Sequence, residues 1–166
     1  MTPHHLLQTR LPTPLGPLTA ARSARGLSGL WFDGQKHHPG PLAVPVDGGG
    51  DAVFATTARA LADYFAGRAP HLPPLDPLGT PFQQAVWAEL LQLPSGASAS
   101  YGHLAARLGR AGAARALGAA VGRNPISILI PCHRVVGADG ALTGYAGGLA
   151  RKQALLALES GGNAAA

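Results

Sequence analysis

Apolar and polar positions alternate at the start of the chain, and the period changes twice along it. LLQTRL, PLTAARS and GLSGLWF, within residues 5–32, are short apolar-rich stretches separated by Pro and Gly. That pattern predicts β-strands joined by turns. Residues 33–50, DGQKHHPGPLAVPVDGGG, keep neither period and predict a loop. From Asp51 the spacing becomes helical: Val53, Ala60, Leu61, Tyr64 and Phe65 form an apolar face, and Asp51 suits the N-cap. GRAPHLPPLDPLGTP, residues 67–81, has too many prolines for either element and predicts an inter-lobe linker.

A second set of elements follows. Thr80 suits an N-cap and Pro81 the first helical position. Phe82, Val86, Leu90 and Leu93 then share a face, with Trp87 and Leu91 beside it. After the turn LPSGASAS, Ser100 suits the cap of a helix YGHLAARL; GRAG turns, and AARALGAAVG forms another helix. Two short helices across a glycine-containing turn suggest a helix-turn-helix. Ile126, Ile128, Leu129 and Ile130 predict a short buried strand, ended by Pro131, which cannot donate to a ladder. The expected fold is α/β in the α+β sense. A small β-sheet-plus-helix lobe (residues 1–79) precedes a mainly helical lobe (80–166) that contains the lone cysteine.

Composition narrows the class. The 166 residues suffice for one good core or two small lobes sharing an interface. With 46% hydrophobic and 13% charged residues, the chain is globular and not disordered. A single cysteine excludes an internal disulfide and a four-thiolate zinc site, and points to a reducing compartment. MTPHHLLQTRLPTP lacks the basic start and apolar stretch of a signal peptide, and no run reaches about 18 apolar residues. The expectation is a soluble cytoplasmic chain with no membrane partner. His37 and His38 lack a supporting third ligand, so an exposed loop is expected there and no metal.

Charge adds a partner. The first eighty residues carry six basic against five acidic side chains; the remainder carry seven against three. A localised basic excess favours a polyanion such as nucleic acid, although solvated arginines explain it equally well. Between Ala113 and Val121 the only charged side chain is Arg115. A major-groove reader needs several side chains that reach base edges. Small residues with one arginine suit the minor groove instead, where the arginine wedges into the base stack. A small-faced helix packed tightly on a neighbour is the plainer alternative.

The thiol lies in PISILIPCHRVV, residues 125–136. A structural cysteine is a small inert hydrophobe; a reactive one needs help to ionise. His133 and Arg134 stand next to Cys132 to lower its pKa. Neighbours on an extended chain face opposite ways, so a Cys132–His133 link needs a turn or a bridging water. Such a relay wants a carboxylate to hold the imidazole, and Glu89, Asp139 and Glu159 are the available ones. On geometry alone a structural cysteine is the commoner case.

IPCHRVV closely resembles the active-site signature of the O6-alkylguanine-DNA alkyltransferases. FQQAVWAELLQLPSGASASYGHLAARLG, AARALGAAVGRNPISILIPCHRVV and TGYAGGLARKQALLALE resemble the same family in order and spacing. The resemblance covers about residues 80–160; residues 1–79 are similar only in length and in their β-then-helix pattern. It implies a ribonuclease H-like first lobe and an alkyl-accepting, DNA-binding second lobe.

It also implies roles. Cys132 would accept the alkyl group. His133 would take its proton through a water, and Glu159 would orient the imidazole. Asn124 would be the hinge that ties the recognition helix to the active-site strand. Arg115 would fill the gap left by the extruded nucleotide, and Tyr101 would help rotate it out and assist at the guanine oxygen. Ala114, Gly118 and Arg123 would join them at the DNA. Backbone groups of Cys132 and Val135 would read the guanine edge, and Tyr145–Ala146 would close the pocket. The partner implied is double-stranded DNA with an alkylated guanine, bound through its minor groove by a monomer. No cofactor is implied, because the thioether product has no group here to hydrolyse it.

Two positions depart from some relatives: Ala146 stands where they have serine, and Ser127 where they have proline. The cysteines of the N-terminal zinc site in certain relatives are absent. Two other readings compete. One is a lesion-binding relative that flips bases without reacting, but those replace the cysteine. The other is a Cys–His hydrolase, for which the sequence offers no oxyanion-hole signal.

Overall fold

The computed structural model describes residues 4–161. Its first strands are those expected: β1 (Leu7–Leu11), β2 (Leu18–Arg22) and β3 (Leu27–Phe32) form an antiparallel sheet in the order β1-β2-β3. All of β3 is buried, because both its faces are covered. Helix α1 (Ala52–Phe65) packs on β2 and β3 through Phe54, Thr57, Ala60, Leu61 and Tyr64. Asp51 caps it by accepting from the Phe54 amide at 3.1 Å.

Two stretches read as loop and linker take part in the sheet. Val46 bridges Gln8 in parallel sense, with the Gln8 amide donating to Pro45 and the Asp47 amide to Gln8. Leu75 bridges Leu27 in the same way on the other edge. A Cβ at Gly26 would lie 2.4 Å from the Pro74 carbonyl oxygen, so glycine alone admits this crossing. The prolines leave few amides to satisfy, which suits a chain that hydrogen-bonds on one side only.

The helical part starts with α2 (Pro81–Leu90), where Thr80 and Gln83 form a reciprocal capping box. After the two-residue β4 (Ala99–Ser100), Ser100 caps α3 (Tyr101–Arg107). Gly109, at φ 69°, ends α3: its amide donates to Ala106 and the Arg110 amide to Ala105. Helix α4 (Ala114–Gly122) packs on α3 and α2. The Trp87 indole pins it by donating to the Ala120 carbonyl at 2.9 Å. β5 (Val135–Val136) pairs in parallel with β4, and α5 (Leu149–Glu159) is the last element among the described residues.

The apolar run 126–130 is not the expected strand. Only Ile126 bridges, to Leu30 of β3; residues 127–129 form a turn. Ile128 sits at φ 71°, in the left-handed region that a β-branched residue rarely enters. A conformation of this kind costs on the order of 1–3 kcal/mol and persists only where its surroundings impose it. The run is apolar because the turn is buried, and burial does not require extension. Cys132 accordingly begins a one-turn 3-10 helix (Cys132–Arg134) and does not end a strand.

Candidate active site

Asn124, just past α4, organises the buried turn. Its side-chain amide donates to Ile126 at 3.2 Å and Ile130 at 2.8 Å, and its oxygen accepts from the Ile126 amide at 3.0 Å. The turn is also docked on β3: the Leu30 amide donates to Pro125 and the Ser127 amide to Leu30. The Ser127 hydroxyl donates to Gln35 at 3.1 Å. These contacts hold Ile128 in its unusual conformation and deliver Cys132 to one place.

Cys132 is 6% exposed and lies in the wall of a cavity of about 450 Å³. Tyr101, Gly118, Arg123, Tyr145 and Ala146 share that wall. Burial pushes the thiol pKa up, opposed by Asn124, the local backbone and the Lys152 charge. The Arg134 guanidinium, expected to act on the thiol, is engaged elsewhere. It donates to Glu159 Oε1 at 2.6 Å and to the Leu93 carbonyl at 2.5 Å.

His133 is fully buried, and its Nε2 lies 2.5 Å from Glu159 Oε2. Of the three candidate carboxylates, Glu159 is the one that reaches His133; Glu89 pairs with Arg107. Burial alone would raise the Glu159 carboxyl, but hydrogen bonds from His133, Arg134 and Tyr64 outweigh it and bring its pKa to about 2. The carboxylate is therefore ionised, Nε2 carries the proton, and Nδ1 is left as a lone-pair acceptor. Nδ1 has no hydrogen-bond partner among the described residues. Burial lowers the His133 pKa, opposed by the hydrogen bond and charge of Glu159, and so favours the neutral ring.

The remaining expected residues fall into two groups. The Tyr101 hydroxyl shares a hydrogen bond with Thr143 Oγ1 at 2.9 Å, and the Ala146 carbonyl accepts from the Lys36 amide. Val135 presents its carbonyl to the Lys152 ammonium at 2.6 Å. Ala114 and Arg115 stand at the start of α4, where Arg115 is exposed and outside the cavity wall. Among the described residues no cluster of three or more His, Cys, Asp or Glu is placed to hold a metal. No helix there is long and apolar enough to cross a membrane.

Four contributors escaped the sequence reading. Lys36 and His37, from the first loop, line the cavity. Lys152 is fully buried and also donates to the Thr143 carbonyl at 3.2 Å. Its signal was present: Lys152, Leu155 and Glu159 share one face of α5, and a charge on an apolar face needs a partner. Tyr64, read only as part of an apolar face, donates to Glu159 Oε2 at 2.7 Å.

The sequence and the fold both have relatives. Residues 81–161 match the family described as 6-O-methylguanine DNA methyltransferase, DNA binding domain. A Mycobacterium tuberculosis protein named methylated-DNA–protein-cysteine methyltransferase is 46% identical over 90% of this chain and 89% of its own length. One of the same name from Salmonella typhimurium is 46% identical over 91% and 94%. The crystal structure of M. tuberculosis OGT in complex with DNA superposes with a TM-score of 0.87 at 42% identity, covering 96% of this chain and 97% of that one. With this identity over nearly its whole length, and with the cysteine site built as described, the chain belongs to the methylated-DNA–protein-cysteine methyltransferase family.

Proposed function

We propose that this chain repairs DNA by direct reversal of alkylation at the O6 position of guanine, with Cys132 as the permanent acceptor. The observation that carries this reading is the lone thiol in the wall of a cavity, backed by an imidazole whose free nitrogen is an acceptor and whose other nitrogen is held by an ionised carboxylate. That is the arrangement a displacement at carbon by sulfur needs. The likeness to a relative solved with DNA supports DNA as the partner.

The alkyl carbon of the lesion lies inside the base stack, so the nucleotide must leave the duplex, at a cost of a few kcal/mol. Helix α4 offers DNA a face of small residues, Ala114 and Gly118 among them, with Arg115 exposed at its start. This face suits the minor groove, with Arg115 filling the gap in the stack. Arg123 flanks the cavity entrance, Tyr101 rotates the nucleotide inward, and Tyr145–Ala146 closes over the base. The Cys132 and Val135 backbone reads the guanine edge. Asn124 ties α4 to the acceptor turn.

The chemistry balances without a cofactor. The thiol proton passes through a water to His133 Nδ1. The thiolate forms an S–C bond as the C–O6 bond breaks. The electron pair returns to the guanine, which takes a proton from the Tyr101 hydroxyl. The imidazolium proton then restores the phenol through solvent. The product thioether is stable, so each molecule acts once. We take the protein to act as a monomer. The division at 79/80 belongs to the same reading: an N-terminal lobe, ribonuclease H-like, followed by the DNA-binding acceptor lobe. The start of the family match at residue 81 supports it.

The test is transfer of a labelled methyl from O6 of guanine in a duplex. The label should appear on the peptide containing Cys132, reach one per molecule and stop. Cys132→Ala should bind the same duplex and acquire none. Label retained on the DNA with wild-type protein, or turnover beyond one, overturns the proposal.

A further inference from the structure

We infer that the Tyr64 hydroxyl is a positioning group of the acceptor relay, so that the N-terminal lobe completes the site instead of only packing against it. The inference rests on the reading of Cys132 as alkyl acceptor.

Tyr64 lies at the end of α1, and that end is fixed. Gly67, at φ 78°, terminates the helix: its amide donates to Tyr64, and the Arg68 amide donates to Asp63 at 2.8 Å. The ring packs edge-on against Phe65, with centroids 5.2 Å apart. From this anchored position the hydroxyl crosses to the C-terminal part of the chain and donates to Glu159 Oε2 at 2.7 Å. The same oxygen accepts from His133 Nε2.

Glu159 therefore takes four hydrogen bonds. Tyr64 and His133 share Oε2, while Arg134 Nε and the more distant Gly96 amide, at 3.3 Å, share Oε1. Only Tyr64 among these donors comes from the first eighty residues. It also approaches His133 Nε2 to 3.5 Å, but both groups are donors toward the carboxylate, so this approach adds no bond. The geometry ranks the three groups. With its charge drawn by Tyr64, Arg134 and Gly96, the carboxylate leaves the shared proton on His133 Nε2. Nδ1, which has no partner among the described residues, then stays free to accept. Without the phenol, the carboxylate is a stronger base beside the imidazole and is free to turn about its last bond.

The test is Tyr64→Phe, which keeps the ring and removes the hydroxyl. Single-turnover transfer from a duplex with O6-methylguanine is followed across pH, with affinity for undamaged duplex measured in parallel. Transfer at neutral pH should slow about tenfold, the scale of one lost hydrogen bond to a charged group, with affinity unchanged. The groups facing His133 are Glu159, Arg134, Lys152 and Tyr64. Removing the phenol strengthens the hold of Glu159 on imidazolium, so the acid limb of the rate profile should move to higher pH. Rates are compared only at pH values where denaturant unfolding shows both proteins folded, so that a loss of stability does not enter the profile.

A second comparison keeps the idea falsifiable if the variant is less stable. Against a Glu159→Gln background, Tyr64→Phe should cost less than twofold, because its effect runs through the carboxylate. Equal losses in both backgrounds, or an unmoved pH profile, overturn the inference while the alkyl-acceptor reading stands. Absence of transfer by the wild type overturns both.

Discussion

Glu159 Oε2 and His133 Nε2 approach to 2.5 Å in the interior, and every polar group around them is arranged so that the carboxylate is the charged partner. Glu159→Gln removes that charge and leaves the neighbouring Arg134 guanidinium without its counter-ion. Transfer should slow on the order of 10²-fold, the low end of what a positioned acid–base group contributes. Unfolding in denaturant should show a loss of about 3–5 kcal/mol, because one member of a buried pair has been deleted. Rapid-quench transfer and equilibrium unfolding check the two parts separately.

The same pair sets an acid limit on stability. The Glu159 carboxyl is held below its ordinary value of 4.5, at about 2, so its contribution is complete above 4.5. It is lost as pH falls from there through about 2. His133 is also depressed, so below its ordinary value of 6.5 protons favour the unfolded chain. Melting temperature should therefore begin to drop below about pH 6.5 and fall further below pH 4.5. In Glu159→Gln the lower step should shrink, leaving the part that belongs to Asp51 and the other depressed carboxyls, as a pH series of thermal melts would show.

Asn124→Ala removes three hydrogen bonds that hold the turn before Cys132. The buried Ile126 amide loses its partner, while the Ile126 and Ile130 carbonyls each keep one backbone donor, and a loss of about 1–3 kcal/mol is expected. Ile128 is then free to leave the left-handed region. The fold should survive and transfer should fall more than stability does. Comparison of melting curves with single-turnover rates measured well below the transition checks this.

Lys152→Met keeps the length of the side chain and deletes the buried ammonium. The Lys152 charge pulls the Cys132 pKa down against burial, so its removal should raise the thiol further. The pH profile of Cys132 alkylation by iodoacetamide should shift to higher pH relative to wild type. An unshifted profile would leave Lys152 as a strut for the Val135 and Thr143 carbonyls alone.

Much of this architecture was legible because local chemistry decides it. Asp51, Thr80 and Ser100 cap the helices they were expected to cap, since a side-chain acceptor three residues before an amide is a local device. The three strands were legible from their turns. The run 126–130 was not, because a buried turn and a buried strand are equally apolar. Asn124 holds it folded through contacts that no period reveals. The pairing of His133 with Glu159 was reached only through resemblance to a family, and the contact of Tyr64 with Glu159 was missed. A tyrosine on an apolar helix face reads as core, and the partner of its hydroxyl lies 95 residues away.

The most direct measurement is the intact mass of the protein after incubation with an excess of duplex carrying O6-methylguanine. The account predicts a gain of one methyl group in place of one proton, confined to the peptide with Cys132, with unmodified guanine left in the DNA. A protein whose mass is unchanged, whether the lesion persists or disappears, would contradict it.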